Sequence, residues 1–200
     1  MIGVDMDMNG IGEPVKVWTK PGVSKSVLVS HPQTTDDFSS YTLGLQWQFN
    51  HNPVNTHWSL NERRGWLALK ALKAATLRES RNMLTQKCMG YLSTATVLLD
   101  FSALADGQRG GLFCTGSLYN GIGISREEGK NYLYLEKNGD VQQVKMVSGK
   151  KIYLRVMLDA KKNRCQLFYS FDNRNFILCG DAYSLKFGDW KGARVGLYSY

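Results

Sequence analysis

Proline is missing from the last three quarters of this chain. All four prolines (Pro14, Pro21, Pro32, Pro53) fall in the first 53 of 200 residues. Proline removes a ladder hydrogen bond from any interior strand, so its absence over residues 54–200 suits continuous sheet, and its clustering marks the start as connector. Histidine is also scarce: His31, His51 and His57 are the only three. The four cysteines (Cys88, Cys114, Cys165, Cys179) are widely spaced and form no CxxC pair, which argues against a zinc site. His51 and His57 share one loop, but a metal there would need a third ligand from elsewhere, and loop hydrogen bonding is the simpler role. Four cysteines permit three disulfide pairings, and the sequence leaves open whether any forms. Cys114 and Cys165 lie in strand-like stretches and read as small core residues.

Other absences narrow the function. No apolar run reaches transmembrane length and no signal-peptide pattern is visible. GxSxG, HExxH, GxxxxGK and complete GxGxxG patterns are all missing. Glycosidase chemistry needs two carboxyl groups facing each other across a cleft. Most acids after residue 60 (Glu62, Glu79, Glu127, Glu128, Asp159, Asp172) sit in turn-like or charged stretches, and no pair stands out in an apolar setting. The formal charge is +8, yet no five-residue run of Lys/Arg and no RNP1, zinc-finger or helix-turn-helix pattern occurs, so nucleic acid is not an expected partner. A positive surface of this kind suits solubility, acidic polysaccharide or an acidic neighbouring domain.

What is present favours sheet. Aromatics make up 12% and there are 20 glycines, with 43% hydrophobic residues for a core. Residues 1–37 are irregular and read as a domain tail followed by a linker. From 38 to 200 the pattern predicts one all-β antiparallel sandwich of about a dozen strands. Asn138–Gly139 between NYLYLEK and DVQQVKM is the strongest hairpin signal. LALKALKAATLRES (67–80) predicts a strand and then a loop or short helix.

The stretch YTLGLQWQFN (41–50) alternates with period two. Alternation puts Leu43, Leu45, Trp47 and Phe49 toward the core and Gly44, Gln46, Gln48 and Asn50 on the opposite face. A row of carboxamides can bond sugar hydroxyls, a neighbouring domain, or covering loops. Trp58, Trp66, Tyr119, Tyr132 and Tyr134 are aromatics that periodicity does not place. DMDMNG (5–10) resembles the start of a calcium loop through Asp5, Asp7 and Asn9, but Lys16 stands where the bidentate acid belongs. No other cofactor is expected.

LGLQWQFNHNPVNTHWSL (43–60) with SRNMLTQ (80–86) resembles the C-terminal concanavalin A-like domain of glycoside hydrolase family 43, a family of β-xylosidases and α-L-arabinofuranosidases. ATVLLDFSALADGQRGGLFCTGS (95–117) and WKGARVGLYSY (190–200) fit the same pattern, and MIGVDMDMNGIGEPV resembles the end of that family's catalytic propeller. The resemblance implies a concanavalin A-like jelly roll and a parent glycosidase, secreted or periplasmic, whose propeller carries the catalytic carboxylates. It implies a non-catalytic domain that supports or borders the propeller active site; the alternative is an independent module for xylan or a related polysaccharide. For either role the candidate contact residues are Gln46, Gln48, Asn50, His51, Asn52, Trp58, Arg81 and Asn82. The expected partners are a plant polysaccharide or oligosaccharide and the propeller, without membrane or nucleic acid.

Overall fold

A computed structural model describes residues 31–185 and 192–200, together with isolated positions 8–10, 12 and 22. The chain divides into two units, residues 1–32 and 33–200. In the first, Asn9 and Gly10 lie in a bend. Asp5 and Asp7 of the candidate calcium loop lie outside the described residues.

The regular structure of the second unit is almost entirely antiparallel strand. In chain order these are β1 (Gln48–Phe49), β2 (Trp58–Ser59), β3 (Ala68–Leu69), β4 (Leu84–Lys87), β5 (Leu92–Asp100), β6 (Arg109–Thr115) and β7 (Tyr119–Glu127). They continue with β8 (Lys130–Lys137), β9 (Asp140–Val147), β10 (Lys151–Asp159), β11 (Arg164–Ser170), β12 (Ile177–Leu178), β13 (Tyr183–Ser184) and β14 (Arg194–Ser199). A seven-stranded sheet runs β1-β4-β14-β6-β7-β8-β9, and a five-stranded sheet runs β12-β11-β10-β5 with β13 beside β11. The hairpin between β8 and β9 turns on Asn138 and Gly139, both with positive φ (51° and 102°), the conformation that a two-residue Asn-Gly turn favours.

Alternation along each strand explains the layers. Leu112, Cys114, Ile122, Ile124, Leu133 and Leu135 of the large sheet pack inward on Ile152, Leu154, Val156, Leu158, Cys165 and Leu167 of the small one. All four cysteines are free thiols, with Cys114 and Cys165 in this core. The large sheet extends beyond the small one. There a cavity of about 1180 Å³ lies between edge strand β5 and inner-face residues of β4 and β14, with Trp47 and Trp66 in its lining.

The outer face of the large sheet carries a second core of Leu77, Met83, Phe113, Tyr119, Tyr134, Tyr198 and Tyr200. Leu77 and Met83 come from the segment crossing this face, where Leu77–Glu79 form a single 3-10 turn within the 67–80 stretch expected to be a strand and then a loop or short helix. Glycines make room beneath the rings. A Cβ on Gly123 would stand 2.7 Å from the Tyr198 hydroxyl, and one on Gly121 would stand 2.9 Å from the Leu77 side chain.

The pattern over 41–50 is overturned in part. Only Gln48–Phe49 forms a strand, and residues before it run in bends and a turn. Leu45 is fully exposed instead of facing the core. Trp47 is half-buried, stacked on Phe38 at 5.5 Å and donating from Nε1 to Asp36 Oδ2 at 2.7 Å. The turn breaks the alternation, because a 3.1 Å bond from Trp47 N to Gly44 O closes the chain on itself.

Candidate binding site

The edge of the large sheet at β1 gathers polar groups on the outer face. Register places Gln48 beside Thr85, Gly196, Phe113, Gly121 and Glu136 across successive strands. The next outer row is Lys87, Arg194, Thr115 and Tyr119. Gln48 is exposed, and its backbone carbonyl accepts the Thr85 hydroxyl at 2.8 Å. Asn50 donates from Nδ2 to the Tyr119 hydroxyl at 3.0 Å, while its own N–H donates to Met83 O at 2.9 Å. Tyr119 stacks on Phe113 at 6.0 Å and lies under the Arg78 guanidinium at 5.7 Å. His51 is exposed, and its Nε2 lies 3.1 Å from the Arg78 carbonyl.

The loop that follows is braced from below. Asn82, buried at 2% exposure, accepts from Val54 N at 2.7 Å and donates to Val54 O at 3.1 Å. Arg81 donates from Nη2 to Asn52 O at 2.7 Å. Asn52, Asn55 and Thr56 remain exposed at the loop surface. Trp58 tilts against Phe49 at 5.2 Å and donates its indole N–H to Asn55 Oδ1 at 3.2 Å.

Among the eight expected residues, Gln48, Asn50 and His51 therefore sit together at the sheet edge. Asn52, Arg81 and Asn82 form or hold the adjacent loop. Gln46 stands apart, since its amide donates to Asp36 Oδ2 at 3.2 Å, so the amide row does not extend along one face. Tyr119, Arg78 and Arg194 complete the edge and were not singled out as contacts. Each comes from a strand or turn distant in sequence, and no local pattern links them to Asn50.

The centre of the outer face is closed. Glu136 is the only buried acid among the described residues; its Oε1 accepts the Leu77 N–H at 2.7 Å and its Oε2 accepts the Tyr200 hydroxyl. Tyr134 and Tyr198 share a 2.6 Å hydroxyl contact. Burial pushes both phenols well above their ordinary range. Tyr200 is pushed up to about 12, first by burial and then by its bond to Glu136. Arg109 lies over the rings of Tyr134 and Tyr200 at 5.5 and 5.7 Å.

Two antiparallel sheets packed face to face, with strands returning through hairpins and long crossings, define a concanavalin A-like sandwich. The family model for the beta-xylosidase C-terminal concanavalin A-like domain matches residues 35–200, and the chain belongs to that family. A protein of Xylanibacter ruminicola named as a beta-xylosidase is 43% identical over 98% of this chain and 36% of its own length. A beta-xylosidase of Formosa agariphila is 38% identical over all of this chain and 37% of its own length. The chain thus spans about a third of these relatives, consistent with a C-terminal domain. Among solved structures, a bifunctional GH43-CE protein of Bacteroides eggerthii superposes with a TM-score of 0.77 at 27% identity, covering 82% of this chain and 23% of that one. The GH43 protein BlXynB of Bacillus licheniformis gives 0.70 at 26% identity, covering 82% and 35%.

Proposed function

We propose that residues 38–200 are a non-catalytic domain of a xylan- or arabinan-degrading glycosidase, and that they support or border the active site of a propeller in the same protein. Residues 1–37 would be the propeller tail and linker. The observation carrying this reading is the braced loop over residues 50–56. Asn82 and Arg81 fix its backbone from below, and its outward side chains are left to meet something else. A loop held this firmly can shape a neighbour's pocket without an ordering cost on contact. The filled centre of the outer face supports the same reading, because Leu77, Met83 and the tyrosine rings occupy it. Glu136, the one deeply buried acid described, has both oxygens occupied and is unsuited to proton transfer with a substrate.

The test compares this chain alone with the chain joined to a propeller. Nitrophenyl xyloside should be turned over only by the joined protein, and replacing the 50–56 loop with glycine and serine should raise KM. Turnover by the isolated chain in a clean preparation would refute the reading.

The second reading is a carbohydrate-binding module, favoured by the exposed Gln48 beside the Asn50–Tyr119 pair. Calorimetry with xylan, arabinoxylan and xylo-oligosaccharides tests it, and no binding at millimolar ligand would eliminate it.

A further inference from the structure

Arg194 is buried, at 4% exposure, and its Nε has no hydrogen-bond partner. None of the four ion pairs among the described residues includes it. A guanidinium does not shed its proton to escape such a site, and a buried charge with no counter-ion among the described residues is costly for a fold to hold. A methionine would fill a similar slot without that cost. The strand register sets Lys87 on one side of Arg194 and Thr115 on the other, with Tyr119 one strand further along. No acid stands in that row. Tyr119 brings in Asn50 by its hydrogen bond and Arg78 by its ring, and the exposed Gln48 occupies the adjoining row. Charge, amides and a phenol on one face of a sheet edge match a ligand that presents a carboxylate and hydroxyls together.

We propose that Arg194 and Lys87 form a subsite for the carboxylate of a uronic acid, with Gln48 and Asn50 meeting the ring hydroxyls. The proposal deepens the carbohydrate-binding reading of this edge and rests on it. An acidic protein segment would also satisfy the two cations; a uronic acid joins its carboxylate to ring hydroxyls, which carboxamides can bond as both donors and acceptors.

Isothermal calorimetry on the full 200-residue chain, with D-glucuronate, D-glucose, D-xylose and acetate as probes, tests this. Glucuronate should bind at least about tenfold more tightly than glucose or acetate, and salt should weaken it. Arg194→Met should abolish the preference while leaving the melting temperature unchanged or higher. Lys87→Gln, at an exposed position, should weaken glucuronate a few-fold and serves if Arg194→Met does not fold. Equal affinity for glucuronate and glucose would overturn the subsite but leave the wider carbohydrate-binding reading standing. Absence of binding by any sugar would remove both. Acetate binding as tightly as glucuronate would replace the sugar with a protein carboxylate.

Discussion

The side-chain amide of Asn82 grips the backbone of Val54 from both sides, accepting its N–H at 2.7 Å and donating to its carbonyl at 3.1 Å. Asn82 does this from a left-handed backbone conformation, φ 55°, which asparagine tolerates better than most residues. The two features act together: the unusual φ aims the amide back at a loop 28 positions earlier. Asn82→Ala removes both bonds and keeps the unfavourable φ. The expected loss is about 2–3 kcal/mol, from two hydrogen bonds at about 1 kcal/mol each plus the strain of alanine in that region. Asn82→Gly should recover about 1 kcal/mol of it. Urea denaturation of the three proteins checks this; equal midpoints would show that the clamp contributes nothing.

Gly123 lies under the Tyr198 ring, where an added Cβ would stand 2.7 Å from the hydroxyl and also press on the Gly110 carbonyl. Neither neighbour can move easily, because one is sheet backbone and the other is tied to Tyr134. Gly123→Ala should cost about 1–3 kcal/mol, against the usual gain from replacing a strand glycine. Thermal unfolding measures it. A variant as stable as the parent would mean that the outer-face core repacks freely.

The elements that the sequence makes legible are those whose signals are local. Alternation in KIYLRVMLD and RCQLFYSFD, and the Asn-Gly turn at 138–139, need no information from elsewhere. The Leu43–Phe49 pattern misleads because Asp36, several residues upstream, captures the Trp47 indole and the Gln46 amide and bends the chain out of the strand. The candidate edge is half legible for the same reason. Gln48, Asn50 and His51 lie within four consecutive positions and are chemically conspicuous. Arg194 and Tyr119 reach them only through the strand order β1-β4-β14-β6-β7, which no short stretch encodes. Phe113 and Tyr198 look like ordinary inward residues until the segment around Leu77 is seen to cover the other face.

Gln48 and Asn50 differ in what they do for the fold, and that difference separates binding from stability. Gln48 is exposed, so Gln48→Ala should stay within about 0.5 kcal/mol of the parent, as surface changes generally do. Asn50→Ala breaks the bond to the Tyr119 hydroxyl and should cost about 1 kcal/mol. Either change should weaken sugar binding or propeller docking, read by calorimetry and by co-purification with the propeller. If Gln48→Ala unfolds the domain, the amide is structural and not a contact residue.

The outer-face tyrosines make the domain sensitive to alkali. Tyr200 is raised to about 12 by burial and by its bond to Glu136, against roughly 10 for a free phenol. The folded state therefore favours the protonated ring. Its contribution to stability is fully present below pH 10 and is lost as pH rises from about 10 through about 12. Tyr134 and Tyr198 are shifted in the same direction by burial, so they add to the loss over a range extending higher. The urea midpoint should hold steady up to about pH 9 and fall between pH 10 and 11.5. Tyr200→Phe should be less stable at pH 8, where it lacks the bond to Glu136, and should show a shallower fall above pH 10. Phenolate absorbance followed in parallel should rise for the buried rings only as the chain unfolds. A midpoint that does not change between pH 8 and 11.5, or an identical slope in Tyr200→Phe, would mean that the Tyr200–Glu136 contact does not shape the alkaline limit.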